Sequence, residues 1–467
     1  MKQLIINFLS ANSFRKSLKT DLSVDNHEIV RNIFKMAWPS ATEAVLIALI
    51  SMIDTVMVSS LGHQAISAVG VTGQPRMLMF SMIIALNMGL TVVISRRKGQ
   101  NKPDEANSIL RSSIVVSLLL STILNILGFI FARQLLEFSG ANHDYLLNAI
   151  DYFKVICVGN IFYSVSLTIT AAQRGAGNTK ISMITNLSAN FVNVILNYLL
   201  INGIWIFPKW GVLGAAVATA VGNVVALCIA LYSIIHKSSF LKLSLDQKWS
   251  LSASNLSLLF KLSWPSMVEQ IFLRIGFFTF TKQVFELGTL VSSTHLIVIN
   301  MMNISFALGD GLSIAATALV GQSLGQGNVD LGKLYGKAVL KFGSVCAIIL
   351  AVFLIIEKDM ILHLFTDHPE IVQTGGILMI ILAFILYFQI AQVTTIGCLR
   401  GAGDLRFVAF LTCLSIMISR PLLTYLFAYQ FGYGIVGAWV AVTIDQILRW
   451  IVSLWRYNSG GWIRLDI

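Results

Sequence analysis

The sequence predicts an all-α, polytopic membrane protein with twelve transmembrane helices in two pseudo-symmetric six-helix bundles. Three observations carry that fold class. The chain is 56% hydrophobic and 12% charged, whereas a soluble domain carries about 25% charged residues; lipid, not water, suits such a surface. Twelve apolar runs approach the about 20 residues that cross a bilayer. One set of motifs also occurs twice, always at the same spacing.

The runs cover 36–58, 69–95, 113–133, 149–171, 183–201, 213–235, 264–285, 292–320, 338–356, 373–395, 407–428 and 435–455. The second and eighth exceed what a bilayer needs, so part of each is expected in the cytoplasm. The expected organisation is a cytosolic N-terminal segment (1–35), an N-lobe of helices 1–6 (36–235) and a cytosolic linker (236–261). A C-lobe of helices 7–12 (262–456) and a cytosolic tail (457–467) follow.

Loop charge gives the orientation. With the N-terminus inside, the inner loops carry Arg96, Arg97, Lys98, Arg174, Lys180, Lys333, Lys337, Arg400 and Arg406 among others. The outer loops carry Arg133, Lys209 and Lys358. That asymmetry follows the positive-inside rule and places both termini in the cytosol. It also accounts for the net charge of +11 without a nucleic-acid partner. No cleavable signal is expected, because the apolar patch from Leu4 to Leu9 is too short for one. The five cysteines lack metal-type spacing and read as small apolar residues.

Trp38-Pro39-Ser40 with Glu43 recurs as Trp264-Pro265-Ser266 with Glu269. Leu61-Gly62 recurs as Leu287-Gly288, Gly99-Gln100 as Gly325-Gln326, and Arg174-Gly175-Ala176-Gly177 as Arg400-Gly401-Ala402-Gly403. Every pair is 226 residues apart, the spacing from Trp38 to Trp264. Six helices per copy, an even number, make both copies enter the membrane from one side. The pseudo-two-fold axis then runs along the membrane normal.

A charge in the bilayer costs roughly 2.5–3.5 kcal/mol on insertion scales, so each one needs a reason. Asp54 lies on the first helix, and its counterpart is Phe280. It reads as a carboxylate that binds a proton or cation. Glu43, eleven residues earlier, is about 20° off three full turns and shares its face. Asn186, Asn190, Asn193 and Asn197 form one stripe on the fifth helix, a hydrogen-bonding wall for Asp54. In the C-lobe, Glu269, Arg274 and Asp310 are secondary candidates. Asp445 and Arg449, four apart, are expected to pair, while Arg420 beside Pro421 shows no local partner. No nucleophile triad or metal-ligand cluster is evident, and no Gly-rich phosphate loop, so the chain is not read as an enzyme.

The Asp54-Thr55 pair ahead of Leu61-Gly62, the Leu319-Val320-Gly321-Gln322 segment, both Arg-Gly-Ala-Gly turns and the six-plus-six layout resemble the multidrug and toxic compound extrusion (MATE) family, in its bacterial DinF-like branch. The resemblance covers about residues 30–460. It implies a secondary antiporter that exports cationic amphiphiles in exchange for protons or sodium. It implies no cofactor beyond the ion gradient, small organic cations and the lipid bilayer as partners, and a functional monomer in the cell membrane. Asp54 matches the family's first-helix acid and Asn193 its fifth-helix companion; some members carry Asp where Asn197 stands. Sodium, if used, would sit at Asp54, Asn193 and Asn197. The tenth-helix Asp expected near Gln389 in sodium-linked relatives is absent. A lipid or glycan flippase of the same superfamily is the nearest alternative, and a membrane enzyme or receptor the alternative of another class.

Overall fold

The computed structural model describes residues 26–237, 240–243, 252–463 and 465. Those residues are nearly all helical, and no strand occurs among them. Twelve long helices follow in chain order. They are α1 (Asn26–Ser59), α2 (His63–Gly99), α3 (Pro103–Ile130), α4 (His143–Gly175), α5 (Thr179–Asn202) and α6 (Gly211–Tyr232). The second six are α7 (Ala253–Phe285), α8 (Thr289–Gly325), α9 (Val329–Ile356), α10 (Pro369–Gly401), α11 (Leu405–Gln430) and α12 (Gly434–Ser459). Eleven of these are long and apolar enough to cross a membrane. The other, α7, carries Lys261, Glu269, Arg274 and Lys282 along its 33 residues.

Several bounds differ from those read in the sequence. α1 starts at Asn26 and α7 at Ala253, each about ten residues before its apolar run. Both extensions are polar on one face and helical nonetheless. The expected lead-in before residue 26, most of the linker, and tail residues 464, 466 and 467 lie outside the described residues. α2 is interrupted at Thr72 between two segments, and α8 runs 37 residues unbroken. At 1.5 Å per residue α8 spans about 55 Å, more than the ~30 Å hydrocarbon core. α11 contains two π-helical stretches, Leu414–Ser419 and Tyr425–Gln430, on either side of Pro421. A proline removes one backbone donor, and wider turns re-satisfy the ladder around it.

Contacts divide the chain into two compact units. One is Thr42–Met267; the other is Val268–Ile467 with the segment up to Ala41. Both borders fall inside a helix, two residues after its proline, Pro39 in α1 and Pro265 in α7. Large apolar side chains stay exposed in both units, among them Val56, Phe191, Phe278, Ile349 and Phe410. A bilayer accepts such a surface.

The repeated Arg-Gly-Ala-Gly turns owe their sequence to packing. A Cβ on Gly175 would stand 2.7 Å from the backbone oxygen of Thr91, and one on Gly401 2.5 Å from that of Thr317. Thr91 Oγ1 donates to the Ala171 carbonyl at 3.2 Å, and Thr317 Oγ1 to Gly397 at 2.9 Å. Only glycine lets α4 and α10 lie this close to α2 and α8. The last glycine of each turn, Gly177 or Gly403, has φ +91°, a left-handed conformation that favours glycine. Gly175→Ala is therefore expected to cost about 1–3 kcal/mol through overpacking. Thermal unfolding in detergent measures this, and a wild-type midpoint would contradict the packing account.

Candidate functional site

Within the unit Thr42–Met267, helices α1, α2, α4, α5 and α6 line a cavity of about 390 Å³. Its polar lining comprises Ser51, Asp54 and Thr55 from α1, Arg76 from α2, and Tyr152, Asn160 and Tyr163 from α4. α5 adds Asn186, Asn190, Asn193 and Asn197, and α6 adds Thr219 and Asn223. The asparagine spacing of four, three and four places all four amides on the side of α5 that faces the cavity. Asp54 and Arg76 are the two formally charged residues of the lining.

Asp54 is half-buried, while Asn193 and Asn197 are 5% and 2% exposed. Asn197 Nδ2 donates to Asp54 Oδ1 at 2.9 Å. One orientation of the Asn193 amide satisfies both of its sides. Nδ2 then donates to Asp54 Oδ2 at 3.0 Å and Oδ1 at 3.1 Å, and the amide oxygen accepts from Thr219 Oγ1 at 3.1 Å. Asn190 Nδ2 donates to the Asn186 carbonyl at 2.8 Å while the residue lines the cavity. Two of the four amides, Asn193 and Asn197, thus present donors to the Asp54 carboxylate, bonds that strengthen when it is ionised.

Glu43, on the same helix as Asp54, is outside that lining. Its Oε1 accepts from Asn186 Nδ2 at 2.5 Å and Ser182 Oγ at 3.1 Å, and lies 3.7 Å from Arg174 Nη1. The second copy repeats the arrangement. Glu269 Oε1 accepts from Arg400 Nη2 at 2.7 Å and Thr412 Oγ1 at 3.3 Å. In each copy, then, the first-helix glutamate ties the basic Arg-Gly-Ala-Gly turn to the fifth-helix position. Of the other C-lobe candidates, Arg274 is partly buried on α7 and Asp310 is exposed on α8.

The position equivalent to Asp54 holds Phe280, which is 2% exposed in the core of its own unit. The Arg420 guanidinium lies 5.8 Å from that ring and 5.2 Å from Phe277. Asp445 is shared between Arg420 Nη2 at 2.6 Å and Arg449 Nη2 at 3.5 Å, and its other oxygen accepts from Ser415 Oγ. The expected pairing of Asp445 with Arg449 is present, but Arg420 is the shorter partner. Arg420 does have a partner, 25 residues along the chain on α12, where no local spacing reveals it.

Sequence reasoning passed over Arg76. Its signal was a lone charge inside the apolar run 69–95, which by itself marks a functional position. Among the described residues no group of three or more His, Cys, Asp or Glu could hold a metal ion.

The family model MatE matches residues 39–199 and 265–426, one match on each half of the duplication. A probable multidrug resistance protein NorM of Thermotoga maritima is 28% identical over 441 residues, covering 93% of each chain. An uncharacterized transporter, YisQ, of Bacillus subtilis is 27% identical, covering 93% of this chain and 95% of its own. The fold matches a solved outward-facing multidrug resistance MATE family transporter of the MOP superfamily with a TM-score of 0.86 at 20% identity. The match covers 92% of this chain and 96% of that one. A MOP superfamily transporter from Pyrococcus furiosus matches equally, at TM-score 0.86 and 20% identity over 93% of this chain and 96% of that one.

Proposed function

The chain belongs to the MatE family, and from that premise we propose that it is a secondary antiporter that exports cationic amphiphilic compounds in exchange for protons. It works by alternating access between two lobes in the cell membrane, with both termini cytosolic. The observation that carries this reading is Asp54, the one carboxylate lining a cavity within the helix bundle and held there by amides. The multidrug name of the Thermotoga maritima relative supports efflux.

Protonation and substrate compete for Asp54. Ionised, the carboxylate accepts from Asn197 and Asn193 and attracts an organic cation. Protonated, it loses that attraction and becomes a donor itself. Turning the Asn193 amide over brings its oxygen beside the new O–H, and Nδ2 then donates to Thr219 Oγ1 at 3.1 Å. Both protonation states are therefore satisfied by one side chain. Exchange of one proton for one monovalent cation moves no net charge, so the pH difference is the drive; each pH unit supplies about 1.4 kcal/mol, enough for about tenfold accumulation. Sodium is the second reading, favoured by the buried Oδ1 of Asn197, which has no hydrogen-bond partner among the described residues.

The test is efflux of a fluorescent cation from proteoliposomes under separately imposed gradients. A pH gradient is expected to drive export and a sodium gradient at equal pH to leave it near background. Export driven by sodium alone would move the reading to the second ion, and export driven by neither would overturn it.

A further inference from the structure

Arg76 is a fixed positive charge inside a cavity proposed to hold cations. It lies on α2, is partly buried, and faces the same space as Asp54. Among the described residues it forms no ion pair, not even with Asp54. The other titratable groups of the lining are the phenols of Tyr152 and Tyr163 on α4, so nothing else there offsets the guanidinium. The equivalent position in the second copy is Met302, buried at 3%. Arg76 is thus, like Asp54, a property of one copy only.

We propose that Arg76 is a specificity-determining residue of this cavity: a tethered cation that competes with the substrate for the charge of Asp54 and keeps cation binding weak enough to release. With Asp54 ionised the empty cavity has no net charge, and an organic cation meets one attraction and one repulsion. Without Arg76 the repulsion is gone. The cavity then binds cations more tightly in both of its accessible states and turns over more slowly. A transporter gains nothing from a ligand it cannot release, so a like charge beside the coupling acid has a use. The inference rests on the antiport reading, since it takes the cavity as the cation site.

Equilibrium binding in lipid nanodiscs separates the two. A fluorescent monocation and its uncharged analogue are titrated into wild type, Arg76→Gln and Arg76→Lys. The monocation is expected to bind Arg76→Gln about tenfold more tightly than wild type, as for a unit charge about 12 Å away at an effective dielectric of about 20. The uncharged analogue should bind all three alike, and Arg76→Lys should resemble wild type. In proteoliposomes Arg76→Gln should show a lower KM together with a lower kcat. A merely structural role for Arg76 would weaken binding of both ligands and overturn the proposal, as would an unchanged affinity for the cation. Wild type alone gives a second arm that needs no variant. A dye carrying a carboxylate beside its cation should bind within about threefold of the parent, because Arg76 offers that carboxylate a donor. Rejection by more than about tenfold would contradict an available guanidinium. Wild type binding neither dye would overturn the antiport reading itself, and this inference with it.

Discussion

Asp54→Asn is expected to reduce gradient-driven export of a fluorescent cation to the level of empty vesicles. The substitution keeps the side chain's shape, and its amide oxygen can still accept from Asn197 Nδ2, now 2.9 Å from Asp54 Oδ1. The fold should therefore survive. What disappears is the only carboxylate of the lining. Without it a proton and a cation have nothing to compete for, so neither can drive the other. Steady-state dye export under an imposed pH gradient, in matched proteoliposomes, measures the effect. The loss should exceed about tenfold, which corresponds to about 1.4 kcal/mol of lost coupling. Export near the wild-type rate would place the coupling acid elsewhere.

Asp445→Asn is expected to produce the largest loss of stability. Asp445 and Arg420 have side chains 0% and 1% exposed, and that of Arg449 is 6% exposed. Removing the carboxylate charge leaves two buried guanidiniums facing each other without compensation. Breaking one buried pair in this way typically costs about 3–5 kcal/mol. Chemical or thermal unfolding in detergent should show the loss, together with reduced yield of monodisperse protein. Replacing both partners, as in Asp445→Leu with Arg420→Met, should recover part of it, because apolar groups of similar volume carry no desolvation penalty. An Asp445→Asn protein that unfolds at the wild-type midpoint would show that the cluster is solvated in a way its burial denies.

The twelve helices and the duplication were legible because both are written in local composition and exact spacing. A run of apolar residues and a motif repeated at 226 need no knowledge of packing. The helix starts were not legible in the same way. Residues 26–35 and 253–261 mix polar or charged side chains with apolar ones, so no apolar run marks them, yet they continue α1 and α7. The asparagine stripe could be read because helical periodicity alone puts its members on one face, and the structure has all four lining one cavity with Asp54. Glu43 was half legible. Its repetition as Glu269 showed a shared task, but the task, holding Arg174 or Arg400 across three helices, needed distances. Arg420 and Arg76 show the limit most clearly. The partner of Arg420 sits on the next helix, and Arg76 acts on a residue 22 positions earlier, across a turn, with no direct ion pair. Spacing carries neither relation.

The central claim is that one carboxylate in the cavity of the Thr42–Met267 unit trades a proton for a cation. Proton release on binding tests it most directly. The purified protein in weakly buffered detergent solution is titrated with the fluorescent cation while pH is followed. The claim predicts release of up to about one proton per cation bound in wild type, as linkage requires when two ligands compete for one site. It predicts none in Asp54→Asn at dye concentrations that still give binding. Equal release from both proteins would contradict it.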